Sequence, residues 1–197
     1  MKKVSIVTLN FNTEKDTHDL LKSLEKVSHP DFELEIIVVD NGSKVPFELS
    51  PNERKDQIAL IRSEINTGFA GGNNIGLKEA LDKGADYIMA LNNDTIVHPD
   101  MIKNMLAVLE SDPKIGVTVP KIYFSKGHEF HKNRYKTDDL GKVFWYVGGV
   151  MDWKNVYGSH RGVDEVDQRQ YEKIEETEFA TGCCMLIKKE VLEQVGF

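Results

Sequence analysis

A chain of 197 residues can bury one substantial core, and its length favours one domain or at most two small ones. With 40% hydrophobic and 29% charged residues it has the composition of an ordinary globular protein, and no apolar run approaches the roughly 18 residues that span a bilayer. A formal net charge of -7 speaks against a general nucleic-acid binder, which needs a basic face, yet it leaves room for an anionic ligand held by local backbone amides or a metal.

Met1-Lys2-Lys3-Val4 begins like a signal peptide, but Thr8, Asn10, Asn12 and Thr13 interrupt the apolar stretch and no small-residue cleavage site follows. Val4 to Leu9 instead reads as the first strand of a cytoplasmic protein, β-branched and buried on both faces. Thr13 to Asp16 resembles a capping box, and Leu20, Leu21, Leu24 and Val27 follow at helical spacing until His29-Pro30. Glu35 to Val39 reads as a second strand ending in Asp40-Asn41-Gly42-Ser43, and Ile58 to Arg62 as a third. A glycine-rich stretch, Thr67 to Gly76, leads into a helix expected to end near Gly84. Tyr87 to Leu91 is a fourth strand with Asn92-Asn93-Asp94 at its end. His98-Pro99-Asp100 opens a helix with Ile102, Met105, Leu106 and Leu109 on one face, and Ile115 to Val119 is a fifth strand.

After Lys121 the alternation fades. Ser125 to Lys142 reads as a long polar loop, Trp145 to Gly162 as short strands with a tight turn at Gly148-Gly149, Thr177 to Ile187 as a strand, and Lys189 to Val195 as the start of a helix. Alternating strands and helices predict an α/β fold with a mostly parallel central sheet flanked by helices. Residues 1–124 are expected to form the regular α/β half, and residues 125–197 a less regular second region, of one continuous domain. Cys183 and Cys184, adjacent and alone, read as small buried hydrophobes in a reducing compartment.

In parallel α/β sheets ligands sit outside the carboxyl ends of the strands, where every unusual polar cluster of this chain falls. Asp94 can offer a carboxylate to a hard divalent cation, with Asn92 or Asn93 on a sugar or on the metal's water shell; the competing reading is an Asn/Asp-rich turn. Asp40 is placed to accept hydrogen bonds from a base or ribose, although Asn-Gly is also a hairpin signal. Asn66 to Asn74 could bring backbone amides close to phosphate or ribose. It is neither a P-loop nor a dinucleotide fingerprint. His128-Glu129-Phe130-His131 has the wrong spacing for a zinc protease and reads as a solvated loop.

Taken in order, these segments resemble the family-2 glycosyltransferases of glycosyltransferase-A fold. Val4 to Asn12 is similar to that family's opening strand. Ile37 to Ser43 resembles its second-strand motif, whose Asp contacts the nucleotide base. Asn66 to Gly76 resembles the glycine-rich segment of the rhamnosyltransferase-like branch, and Leu91 to Asp94 falls where the family carries a D-x-D metal motif. Trp145 to Gly149 and Ala180 to Ile187 resemble its acceptor side. The resemblance implies an inverting, metal-assisted transfer of a sugar from a nucleoside-diphosphate donor, UDP- or dTDP-linked, to a hydroxyl of a glycan or lipid-linked acceptor. It points to cell-surface polysaccharide synthesis at or near the inner face of the membrane.

The implied donor contacts are Thr8, Asn10, Asn12, Asp40, Asn41, Asn66, Gly68, Gly71, Gly72, Asn73, Asn92 and Asn93, and the implied ligand of Mn²⁺ or Mg²⁺ is Asp94. Two departures stand out. Asn92 replaces the first acid of the metal motif, so the metal is expected to arrive with the diphosphate. The family's general base follows a Gly-Phe pair, here Gly196-Phe197, and is therefore expected beyond the chain, as for a C-terminally truncated member. Asp152, His160, Asp164 and Asp167 are possible substitutes. A nucleotidyltransferase and a nucleotide-sugar-binding module without transfer activity are the rival readings.

Overall fold

The computed structural model describes residues 1–53, 56–131 and 133–197. It falls into two compact units: Met1–Thr118 with Gly182–Phe197, and Val119–Thr181.

The first unit is built on six strands: β1 (Lys2–Asn10), β2 (Phe32–Asn41), β3 (Ile58–Ser63), β4 (Tyr87–Leu91), β5 (Val117–Thr118) and β10 (Cys184–Lys188). Their spatial order is β3-β2-β1-β4-β10-β5. β1 to β4 run parallel, and β10 enters antiparallel between β4 and β5. The sheet is thus mostly parallel, as the alternating pattern predicts. The apolar runs of the inner strands β1 and β2 have no solvent face: Val4, Ile6, Val7, Ile37, Val38 and Val39 are all fully buried. Thr177 to Ile187, expected as one strand, is ordered as a strand only from Cys184, where it finds a partner in β4.

Helices cover both faces. On α1 (Glu14–Leu24), Thr17, Leu20, Leu21 and Leu24 form the buried stripe, each leucine contributing about 2 kcal/mol by leaving water. Thr13 precedes the helix but makes no side-chain cap; its hydroxyl is engaged elsewhere. α3 (Met101–Ser111) buries Ile102, Met105, Leu106 and Leu109, the four residues its periodicity singles out. α4 (Lys189–Val195) closes the unit.

α2 departs most from the expectation. Its glycine-rich segment is no loop ahead of a helix, for α2 spans Gly68–Asp82 and includes it. A Cβ on Gly72 would lie 2.5 Å from Leu9 Cδ1, and one on Gly76 only 2.3 Å from Val7 Cγ1 and 3.0 Å from Val39 Cγ2. The glycines are there because the helix rides against β1 and β2 more closely than any side chain allows. Leu77, Ala80, Ile88, Ile187 and Leu192 complete the core on this face.

The second unit contains two antiparallel pairs, β6 (Ile122–Tyr123) with β7 (Phe144–Tyr146), and β8 (Gly149–Asp152) with β9 (Tyr157–His160). Gly148-Gly149 is therefore a junction between two pairs and not a hairpin turn. The polar stretch Ser125 to Lys142 (Lys132 lies outside the described residues) contains a 3-10 turn at Thr137–Asp139. Glu129, expected in a solvated loop, is buried and accepts the amides of Gly127 at 2.8 Å and Gly141 at 2.6 Å. A buried carboxylate must find such donors. Among the described residues no helix is long and apolar enough to cross a membrane.

Candidate functional site

The register of three parallel strands sets one corner of the site. Asn10 stands beside Asp40, and Asp40 beside Arg62. Asp40 is 1% exposed, and both its oxygens are occupied. Asn10 Nδ2 donates to Oδ1 at 3.2 Å, and the Ser43 amide to the same oxygen at 3.4 Å. The Phe47 amide donates to Oδ2 at 3.1 Å, where Arg62 Nη1 is also bound. Burial works against the charged carboxylate, but the hydrogen bonds from Ser43, Phe47, Asn10 and Arg62 outweigh it and hold the group below the usual carboxylate range. The second-strand acid thus knits the strand ends together.

Asn12, in the left-handed region at φ 56, donates its amide to Ser43 Oγ at 2.9 Å and accepts the Lys44 amide at 2.9 Å. Asn tolerates that backbone better than most residues. Gly42 needs both its φ of +76 and its missing side chain, since a Cβ would meet the backbone of Ile65 and Asn66 at 2.6 and 2.7 Å. This decides between the two readings of Asn41-Gly42: a parallel strand follows, so the pair is no hairpin turn but the place where two loops cross.

Asn41 organises the second corner. Its Oδ1 accepts the Thr67 amide at 3.1 Å and the Thr67 hydroxyl at 2.9 Å, while Nδ2 donates to Asn66 Oδ1 at 3.0 Å and Gly68 O at 3.1 Å. One buried side chain therefore fixes the approach to α2. Asn73 is turned back into that helix, donating to Phe69 O at 2.9 Å, and Thr8 is fully buried with its hydroxyl unpartnered.

The third corner is the turn after β4. Asn92 continues the strand, its amide bonded to Cys183 O at 2.8 Å. Asn93 Nδ2 donates to Thr13 Oγ1 at 2.7 Å and Thr17 Oγ1 at 2.9 Å, which explains the missing cap on α1. Among the described residues, the side-chain amide of Asn92 and the exposed Asp94 carboxylate make no side-chain hydrogen bond or ion pair. Among the described residues no group of three or more His, Cys, Asp or Glu is placed to hold a metal. One open carboxylate with an open amide beside it suits a hard cation that brings most of its oxygen ligands with it, and does not suit a resident metal with an all-protein shell.

Thr13, Thr17, Arg62 and Thr67 belong to these corners and were absent from the expected donor contacts. Two of them carried a sequence signal: Thr17 is a polar residue at helical spacing from Leu20, Leu21 and Leu24, and Arg62 is the one charge in Ile58 to Ser63. In the second unit, the four substitutes for a base all have partners. Asp152 accepts the Lys154 and Asn155 amides at 3.0 and 3.1 Å, and Asp164 pairs with Arg134 at 2.5 Å and with Tyr135. Asp167 accepts the Tyr123 hydroxyl at 2.6 Å. His160 Nδ1 lies 3.1 Å from Trp145 O, its ring 4.4 Å from that indole.

With this geometry in place, residues 5–196 match the family model described as glycosyl transferase family 2. The chain belongs to that family. Among the curated relatives of this family-2 member is the low-salt glycan biosynthesis hexosyltransferase of Haloferax volcanii, 27% identical over 195 residues, covering 98% of this chain and 55% of that protein. Two solved structures share the fold. Staphylococcus aureus TarS 1–349 in complex with UDP-GlcNAc has a TM-score of 0.62 at 19% identity, over 98% of this chain and 47% of that one. The mannosyltransferase of Pyrobaculum calidifontis in complex with GDP-Man and Mn²⁺ has 0.57 at 15% identity, over 98% and 46%. The chain spans about half the length of the curated relatives it matches.

Proposed function

We propose that this family-2 chain binds a nucleoside-diphosphate sugar at the carboxyl edge of its main sheet and serves an inverting transfer of that sugar to an acceptor hydroxyl. In a single displacement the acceptor oxygen bonds to the anomeric carbon as the bond to the diphosphate breaks. The electron pair leaves with the diphosphate, and the hydroxyl proton passes to a base. Asp152, His160, Asp164 and Asp167 each have a partner of their own, so we assign that base to none of them.

The observation that carries the reading is the convergence of three polar corners at the carboxyl edge of one sheet, where the Asn92 side chain and the exposed Asp94 carboxylate have no side-chain partner among the described residues. In this reading Asn10, Asn12 and Asn41 shape the nucleoside side of the site, with Asp40 supporting them from below. Gly68 and Gly71 bring backbone close to ribose and diphosphate, with Asn66 at their edge and Gly72 seating the helix on Leu9, while Asn93 holds the turn that carries Asp94 through Thr13 and Thr17. Asp94 would hold a divalent cation, which supplies charge stabilisation to the departing diphosphate. Mn²⁺ is the first choice because one fold neighbour was solved in complex with GDP-Man and Mn²⁺. Glycan synthesis is the favoured setting, after the description of the Haloferax relative.

Calorimetry with UDP, dTDP and GDP, each with and without Mn²⁺, on the wild type and on Asp94→Ala tests this. One nucleotide should bind, more tightly with Mn²⁺, and the metal's contribution should vanish in Asp94→Ala. Absence of binding for all three, or equal metal enhancement in the variant, would refute the donor site as drawn.

A further inference from the structure

The nucleoside corner and the Asn93-Asp94 turn are joined by one side chain on α1. Thr17 is fully buried. Its hydroxyl lies 2.9 Å from Asn10 Oδ1 and 2.9 Å from Asn93 Nδ2. It could instead donate within its own helix to Thr13 O, at 3.3 Å, the common local alternative for a helical threonine. The neighbours decide against that alternative. Asp40, ionised, can only accept, so Asn10 must point its amide nitrogen at Asp40 Oδ1 and its carbonyl at Thr17. No other donor to that buried carbonyl is present among the described residues, so Thr17 must donate to it. The Thr17 oxygen is then left to accept, and Asn93 must turn its NH₂ group toward it. Every donor in the series Asn93, Thr17, Asn10 points toward one carboxylate, an arrangement in which each bond polarises the next.

We propose that Thr17 is a positioning residue: its hydroxyl holds the turn carrying Asp94 against the strand ends carrying Asn10 and Asp40, so that one nucleoside diphosphate can engage both. The inference rests on the donor site proposed above. Groups that orient a metal-bearing segment from behind typically change metal affinity by ten- to a hundredfold when removed.

The test is the ratio of dissociation constants without and with Mn²⁺, measured by calorimetry with UDP, dTDP and GDP on the full chain. Thr17→Val keeps the shape of the side chain and loses the hydroxyl; Thr17→Ser keeps the hydroxyl. The ratio should fall about tenfold in Thr17→Val and return to within about twofold of wild type in Thr17→Ser. A purely structural role for Thr17 would lower the folded fraction without moving this ratio in the molecules that remain folded. A wild type with no metal-dependent binding would defeat the donor site and this inference together. A large wild-type ratio left unchanged by Thr17→Val would overturn this inference alone. Should Thr17→Val not fold, Thr17→Cys is measured instead, since it keeps most of the bulk at this buried position and replaces the hydroxyl by a weak donor and acceptor. A fall in the ratio is again expected, and an unchanged one overturns the proposal.

Discussion

Replacing Gly76 by alanine sets two effects of opposite sign against each other. In an exposed helix the change would stabilise by about 1 kcal/mol, because glycine loses more backbone freedom on folding. Here the new methyl would sit 2.3 Å from Val7 Cγ1 and 3.0 Å from Val39 Cγ2. Both valines are fully buried, and β-branched side chains have no second rotamer of comparable energy to move into. Overpacking of this kind costs roughly 1–3 kcal/mol, and stiff neighbours favour the upper figure. The net expectation is a loss of about 2 kcal/mol, or a fall in Tm of about 4–8 °C for a chain of this size. Urea unfolding followed by circular dichroism measures it, with Val7→Ala and the double variant completing a cycle. Removing the valine methyls should recover about 1–2 kcal/mol of the Gly76→Ala loss. A Gly76→Ala protein as stable as wild type or more so, with no coupling to Val7→Ala, would show that α2 does not lie this close to β1 and β2.

Two further outcomes follow from the ionisable groups. Asp40 and Glu35 are both held below their ordinary values of 3.8 and 4.5: burial opposes this, but it is outweighed at Asp40 by Ser43, Phe47, Asn10 and Arg62, and at Glu35 by Lys83 and Lys3. A carboxyl depressed in the folded state adds stability above its unfolded value and loses it as pH falls through the folded one. Urea midpoints should therefore hold steady from pH 7 to about 5 and drop below about 4. Arg62→Met brings the folded value of Asp40 closer to its unfolded one, so the variant should be less stable at pH 7 and lose less of its stability on acidification than the wild type; an acid-induced fall as large as the wild type's would count against the Asp40–Arg62 pair. Burial, followed by the nearby Asp94 charge, pushes the Cys183 thiol up to about 11, and burial raises Cys184 further. At pH 7 about one Cys183 in ten thousand is then thiolate. A disulfide reagent should label neither cysteine of the native protein within minutes and both in urea; rapid native labelling would contradict the burial.

The chain's own text carried the fold class and the family. Strand runs without polar interruptions, helices with one apolar stripe, and the polar clusters at Asn10, Asp40 and Asn92 are local patterns, and local patterns survive in one dimension. Residues 5–196 match the glycosyl transferase family 2 model, the family those ordered motifs resemble. Tertiary structure decided which partners each polar residue meets. The glycines of Thr67 to Gly76 read as a loop because glycine disfavours helix; only the distance from Gly76 to Val7 and Val39 shows why a helix needs them. Thr13 read as a cap, and its hydroxyl instead serves Asn93, 80 residues away in sequence. Asp40 read as a ligand for a base, and its carboxylate turns out to be enclosed by four donors from Asn10, Ser43, Phe47 and Arg62. A side chain's hydrogen-bonding capacity can be read from its type, but its partners come from strand register and helix placement, and those exist only once the chain has folded.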